Sequence, residues 1–234
     1  MQTKHILSIV VPFFNEARSV APLHARICEA LRPLGSFELI FVDDGSVDTT
    51  FQEIQKQRPV TALRLARNFG QTAALAAGIA RATGDTIVTL DGDLENNPLD
   101  IPKLVSKLEE GFDLVIGSRY LEGISVVHWD LKRLLLSLWA SFYARIITGL
   151  SLTDPMSGFK CYRKKVLENI PLEKVKSNGY SFQMEMHFRA VKAGFKLTEI
   201  PIVFVDRFNG KSKMGWRIIL EAALMAPRLR LGLM

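Results

Sequence analysis

The sequence predicts an α/β protein with a mostly parallel central sheet and helices on both faces. Short runs rich in Val, Ile and Leu recur along the first half, helix-length mixed segments separate them, and Gly and Pro punctuate the joints. Alternation of strand and helix implies right-handed crossovers, which place helices on both sides of one sheet.

In order, residues 6–12, 37–42, 60–65, 85–90 and 113–116 read as buried strands. Residues 20–34, 49–57, 71–82 and 98–110 read as the helices between them. Asn97-Pro98 puts proline at a helix start, and Gly84 and Gly111 stand where helix ends call for a residue tolerant of positive φ. The second half changes character: residues 131–152 form an apolar helix, 154–159 a loop bearing Pro and Gly, 182–192 a helix, 197–205 a strand, and 216–226 a last apolar helix. With no low-complexity linker and no repeat, the halves are expected to share one core.

The chain has 234 residues, 48% of them hydrophobic, enough to bury a full core. A net charge of +6 suits nucleic acid, an anionic membrane surface or a phosphorylated ligand. The Lys and Arg residues form no stripe with interleaved aromatics, which argues against nucleic acid. Cys28 and Cys161 lie far apart without a Cys-x-x-Cys pair, so reduced thiols in a cytosolic protein are expected rather than a zinc site or a disulfide framework. The segment before Pro12 is too short and wrongly flanked for a signal peptide.

The helix over 131–152 approaches membrane-spanning length, but Lys132, Arg133 and Arg145 interrupt it. It reads as an amphipathic helix on a membrane surface, with a buried core helix or a dimer seam as alternatives. Leu131, Leu134, Leu135, Leu138 and Phe142 recur at near-helical spacing, and Trp216, Arg217, Arg228 and Arg230 suggest the same for the last helix.

In a parallel sheet ligands bind beyond the carboxyl ends of the strands, where three polar clusters fall. These are Asn15-Glu16, Asp43-Asp44-Gly45-Ser46 and Asp91-Gly92-Asp93 with Glu95 close behind. A group of carboxylates is costly unless a cation neutralises it, and these hard oxygens suit Mg²⁺ or Mn²⁺ holding a diphosphate. Taken alone, Asp-x-Asp equally fits turn residues or helix caps. A phosphatase of the haloacid dehalogenase type would want Thr or Val soon after the second Asp, and a sugar nucleotidyltransferase would want a Gly-rich basic loop after the first strand. Leu94-Glu95-Asn96 and Phe13-Phe14-Asn15-Glu16 supply neither.

Read together, the ordered segments Val10–Glu16, Val42–Thr50 and Ala82–Asp85 leading to Asp91-Gly92-Asp93 resemble glycosyltransferase family 2, inverting enzymes of GT-A fold. The resemblance implies that Pro12, Phe14, Glu16, Val42, Asp44, Asp91, Gly92 and Asp93 bind the nucleotide sugar and that Asp91, Asp93 and Glu95 surround the metal. Within the family, Ile116–Tyr120, Trp129 with Lys132-Arg133 and Ser137, Asp154–Lys160, and Arg207 with Gly210–Lys213 resemble the polyprenol-phosphate sugar synthases, typified by dolichol-phosphate mannose synthases. Asn68-Phe69-Gly70-Gln71 looks more like the bacterial relatives that load undecaprenyl phosphate.

That likeness implies one GT-A catalytic domain over 1–234, with 1–120 as the nucleotide-sugar and metal half and 121–234 as the acceptor and membrane-interface half. It assigns Arg119, Arg133, Ser137 and Arg207, helped by Lys211 and Lys213, to the phosphate of a polyprenyl acceptor. Arg suits this because it grips phosphate in bidentate fashion and stays charged. Asp154 joins Arg119, Arg133 and Arg207 as a catalytic candidate: in relatives acting on hydroxyls the matching acid serves as base, whereas here it would orient sugar hydroxyls or an arginine. Many of these synthases carry Gln where this chain has Glu95. The implied reaction moves a hexose, mannose from GDP or glucose from UDP, at the cytoplasmic face of a membrane. The implied partners are the nucleotide sugar, the lipid, the membrane surface and either an anchoring subunit or a second copy. A hydroxyl acceptor, and a silent membrane-bound nucleotide-sugar binder, are the rival readings.

Overall fold

The computed structural model describes residues 7–170, 172, 175, 177, 179–206 and 224–232. Strands β1 (Leu7–Phe13), β2 (Phe37–Asp43), β3 (Thr61–Arg64), β4 (Thr86–Thr89) and β5 (Leu114–Ser118) alternate with helices α1 (Ala17–Leu31), α2 (Thr50–Lys56), α3 (Gln71–Arg81) and α4 (Ile101–Glu109). There follow β6 (Val126–Val127), α5 (Leu131–Thr148), β7 (Lys160–Arg163), α6 (Lys164–Asn169), α7 (Gly179–Lys192), β8 (Leu197–Pro201) and β9 (Phe204–Val205). Residues 224–230 are helical and are labelled α8. The seven-stranded sheet runs β3-β2-β1-β4-β7-β5-β8, with β6 and β9 forming a separate two-stranded ribbon.

Burial on both faces explains the unbroken apolar strands. Along β1, Val10 points into one hydrophobic cluster while Leu7, Ile9, Val11 and Phe13 point into the other, and Ile40 and Val42 of β2 oppose Leu39 and Phe41 in the same way. Helices α1 and α4 cover one face through Val20, Leu23, Ile27, Ile101 and Leu104. Helices α3, α5, α7 and α8 cover the other, so both clusters draw on both halves of the chain. Gly78 lets α3 sit close to the sheet: a Cβ there would stand 2.4 Å from Val10 Cγ1 and 3.0 Å from Val42 Cγ2.

The structure departs from the sequence expectation at several places. Strand β7 was not expected; it lies antiparallel between β4 and β5, and its charged ends hide it from a search for apolar runs. Arg163 reaches out to the carbonyls of Phe112 and Leu108, both at 2.9 Å, while Lys160 is fully buried. The strand expected over 197–205 divides: Ile202 N still donates to Ser118 O at 3.0 Å just past Pro201, after which Phe204 N bonds Ser125 O at 2.9 Å and joins the chain to β6. Gly84 does not take positive φ, its N–H donating to Ser8 Oγ at 2.9 Å, whereas Gly149 at φ 72° closes α5. That helix also ends at Thr148 rather than running to Leu152.

Candidate active site

The carboxyl ends of β1, β2 and β4 meet on one rim and lock each other's loops. Asn15, at φ 54°, donates its backbone N–H to Ser46 Oγ at 2.9 Å and accepts from Val47 N at 3.0 Å through Oδ1. Glu16 N donates to Thr50 Oγ1 at 2.9 Å, so the loops after β1 and β2 form one surface. Asp44 accepts from Phe69 N at 2.8 Å and Gly70 N at 2.9 Å, which fixes the turn into α3. Burial raises the Asp44 carboxyl against those two donors, and the neighbouring Asp43 charge adds to the rise. Val42 spends its side chain on the core beneath α3, and Pro12 is buried while Phe14 is half-buried.

Beyond β4, Gln71 at the start of α3 donates its side-chain amide to Asp91 Oδ1. Gly92 is required by contact: a Cβ there would lie 2.5 Å from the Phe13 ring and 2.7 Å from Pro12 O. Asp93 Oδ1 accepts from Glu95 N at 3.1 Å, with Leu94 between them at φ 66°. Asp91 and Asp93 are partly exposed at the rim, whereas Glu95 is buried and turns its carboxylate to Arg133, Oε1 to Nη2 at 3.4 Å.

Opposite this acidic loop, β5 is followed directly by Arg119, whose Nε and Nη2 donate to Asp154 Oδ2 and Oδ1 at 2.6 and 2.8 Å. The Arg119 N–H adds a third bond at 3.2 Å, and Asp154 is fully buried. Glu199 on β8 steadies the Asp154 loop by accepting from Asp154 N at 2.8 Å and Thr153 N at 2.6 Å. Arg133, near the start of α5, donates Nη1 to Asp206 Oδ1 at 2.6 Å. Both guanidiniums flank Trp129, at 5.5 Å for Arg119 and 4.1 Å for Arg133 from the ring centre. Ser137 Oγ pairs with the Tyr120 hydroxyl at 2.7 Å. Arg207, Lys211 and Lys213 lie outside the described residues, as do Trp216 and Arg217.

Sequence reasoning missed a buried polar layer under this site. Lys160 Nζ donates to Gln183 Oε1 on α7. Burial pulls the Lys160 ammonium well below its ordinary value, and the charges of Asp91 and Asp154 work against that. A Cβ on Gly158 would stand 3.4 Å from Asp91 Oδ2 and 3.3 Å from Gln183 Nε2, so glycine keeps these groups close. His187, fully buried on α7, bonds Pro155 O through Nδ1 at 2.9 Å, and its Nε2 has no hydrogen-bond partner. Lys160 and Gln71 each sat at the edge of a motif already singled out, but nothing local marked Gln183, His187 or Glu199.

Among the described residues no three or more His, Cys, Asp or Glu side chains gather as a ready metal cage. Asp91 and Asp93 nonetheless place hard carboxylate oxygens on one partly open loop, a donor set that fits Mg²⁺ or Mn²⁺ completed by diphosphate oxygens and water. Glu95 would join only by leaving Arg133.

The fold is that of GT-A glycosyltransferases. Glucosyl-3-phosphoglycerate synthase from Mycobacterium tuberculosis, solved with Mn²⁺, UDP and glucosyl-3-phosphoglycerate, superposes with a TM-score of 0.72 over 97% of this chain and 80% of that one, at 20% identity. The model of the family Glycosyl transferase family 2 matches residues 8–171, and the chain belongs to that family. Its relatives include a dolichol-phosphate mannosyltransferase of Pyrococcus furiosus, 34% identical over 92% of this chain and 61% of its own length. They also include a polyprenol monophosphomannose synthase of Mycolicibacterium smegmatis, 34% identical over 92% of this chain and 83% of that protein. An undecaprenyl-phosphate mannosyltransferase of Micrococcus luteus is 33% identical over 94% of this chain and 91% of that protein. The chain thus spans less than two thirds of the Pyrococcus relative and most of the other two.

Burial, reinforced by the Lys160 charge, holds the His187 imidazole well below its ordinary value, with the Pro155 carbonyl opposing. An unfolded histidine takes up a proton near pH 6.5, while the folded one does not until far lower pH. Stability from this group is therefore complete above about pH 6.5 and drains away as pH falls through the window below it, by about 1.4 kcal/mol per pH unit. Urea unfolding between pH 7.5 and 5 should show that extra loss in the wild type and not in His187→Gln. Identical pH dependence in the two proteins would mean that His187 is charged in the fold.

Proposed function

We propose that this enzyme transfers a hexose, mannose from GDP-mannose or glucose from UDP-glucose, to the phosphate of a polyprenyl lipid, dolichyl or undecaprenyl phosphate. The observation that carries the reading is an apolar stripe leading to an arginine pair. On α5, Leu131, Leu135, Trp139, Phe142 and Ile146 are 56–68% exposed and spaced on one helical face, which begins beside Arg133. Of the face expected from the sequence, Leu134 and Leu138 are half-buried instead, so the lipid-facing stripe is rotated toward Trp139 and Ile146. A phosphate headed by Arg133 and Arg119 with its chain along this stripe satisfies both ends of such a lipid. The relatives' names, all polyprenyl-phosphate mannosyltransferases or synthases, support the same acceptor.

In the proposed reaction an acceptor phosphate oxygen forms the bond to the anomeric carbon as the bond to the diphosphate oxygen breaks, with inversion. That oxygen is already anionic, so no strong general base is needed. Asp154 suits this chemistry: with both oxygens engaged by Arg119 it orients a phosphate-binding guanidinium rather than abstracting a proton. Asp91 and Asp93 would hold Mg²⁺ or Mn²⁺, which supplies charge stabilisation for the departing diphosphate. Arg119 and Arg133 position the nucleophile, and Lys211, Lys213 and Arg207 are kept as further candidates on sequence grounds. The nucleotide would lie along the rim of Pro12, Phe14, Glu16 and Asp44.

Peripheral attachment to a membrane surface completes the reading. No helix among the described residues is long and apolar enough to cross a bilayer. The exposed stripe and the chain's net charge of +6 suit an anionic leaflet. An anchoring subunit or a second copy would compete for the same face.

Incubation with a panel of nucleotide sugars and short polyprenyl phosphates, with products identified by mass, should give a lipid-linked hexose. Asp93→Ala or a chelator should lower transfer by about 100-fold or more. Transfer only to hydroxyl acceptors would sink the polyprenyl reading and leave the family intact. Separately, Trp139→Glu should reduce retention on anionic vesicles severalfold; unchanged retention would point to a protein partner on α5 instead.

A further inference from the structure

We infer that Glu95 is a positioning residue that withholds Arg133 from an anionic phosphate until a divalent cation occupies the Asp91–Asp93 loop. The inference rests on the acceptor reading above. Glu95 lies two residues from Asp93, and its own N–H is tied to Asp93 Oδ1 at 3.1 Å, so it moves with the acidic loop. Its carboxylate nevertheless bonds Arg133 Nη2 at 3.4 Å, across the site, and its carbonyl accepts from Val205 N at 3.0 Å beside the β6–β9 ribbon. This contact joins the acidic loop to one of the acceptor arginines side chain to side chain.

The charge count around Arg133 gives this bond its consequence. Glu95 and Asp206 both approach one guanidinium, at 3.4 and 2.6 Å, while Trp129 covers its face at 4.1 Å. Among the described residues, a phosphate arriving there would meet the charges of these two carboxylates, and in a half-buried setting such repulsion is poorly screened. Glu95 is 8% exposed, so its charge cannot simply be diluted by water. With a divalent cation held by Asp91 and Asp93, the Glu95 charge would be offset and its hold on Arg133 weakened. Asp206 takes the other terminal nitrogen of Arg133, Nη1, and its carboxylate is not bonded to Asp93, so removing its charge should leave the response to the cation in place. Glutamate at 95 thereby links the two sides of the site, which glutamine, lacking the charge, would not do. Linkage is reciprocal: an anion at Arg133 should also favour the cation.

The test is calorimetric binding of decyl phosphate to the full chain, without nucleotide sugar, with and without Mn²⁺. For the wild type, Mn²⁺ should tighten binding about tenfold. Glu95→Gln should bind about tenfold more tightly than wild type without Mn²⁺ and gain less than about threefold from it. Asp206→Asn should bind more tightly without Mn²⁺ yet keep the tenfold response. If Glu95→Gln matches wild type without Mn²⁺, or keeps the full Mn²⁺ response, the linkage is overturned, and wild-type transfer to polyprenyl phosphate would then leave the acceptor reading standing. If none of the three proteins binds decyl phosphate under either condition, both the linkage and the acceptor reading fall.

Discussion

The buried pair of Arg119 and Asp154 is the constraint around which the second half of the site is arranged. Two charges withdrawn from water are expensive, and the bidentate geometry at 2.6 and 2.8 Å with a third bond from the Arg119 N–H is what makes their burial tolerable. Their elements are neighbours only because β7 enters antiparallel next to β5 and β8 continues the sheet beyond it. Glu199 of β8 then pins the Asp154 loop through backbone donors. An apolar pair of similar volume would serve stability as well or better, so the arrangement is better understood as aiming a guanidinium than as strengthening the fold.

From that fixed point the rest of the site divides into an acidic and a basic side. The acidic side is preorganised by backbone: Gly92 pressed against Phe13, Asp44 tied to the turn into α3, Asp91 braced by Gln71. The basic side is preorganised by rings, with Trp129 shared by Arg119 and Arg133 and with Tyr120 and Phe204 at 5.2 and 5.3 Å from the Arg119 guanidinium. Aromatic walls lower the local dielectric without competing for the guanidinium's donors, so the proposed acceptor phosphate would meet a strong field there. Beneath both sides, Lys160 and Gln183 fill what would otherwise be an apolar floor. For the proposed transfer, whose nucleophile arrives already ionised, such preorganised charge would be the main source of rate.

The first half of the fold was legible because its strands are buried on both faces and its loops are short. Residues 37–42 and 71–82 were placed to within a residue by apolar run, Gly and Pro alone. Strand β7 was not, since Lys160 and Arg163 break the run and their burial and capping are decided by partners more than twenty residues away. The site shows the same division. Asp44, Asp91 and Asp93 announce themselves at strand ends, whereas the meeting of Glu95 with Arg133, 38 residues on, depends on where α5 docks. The stripe on α5 was legible as a periodicity but not as a direction: the choice of Trp139 and Ile146 over Leu134 and Leu138 comes from the packing of Ser141, Ala144 and Thr148 against the body.

Asp154 is proposed to act through Arg119 and not as a base in its own right. A double-mutant cycle on kcat/KM for transfer to a short polyprenyl phosphate tests it most directly, using Asp154→Asn, Arg119→Lys and the double variant. If Asp154 works through Arg119, the double variant loses no more than the worse single variant. Losses that multiply would show two independent contributions and contradict it.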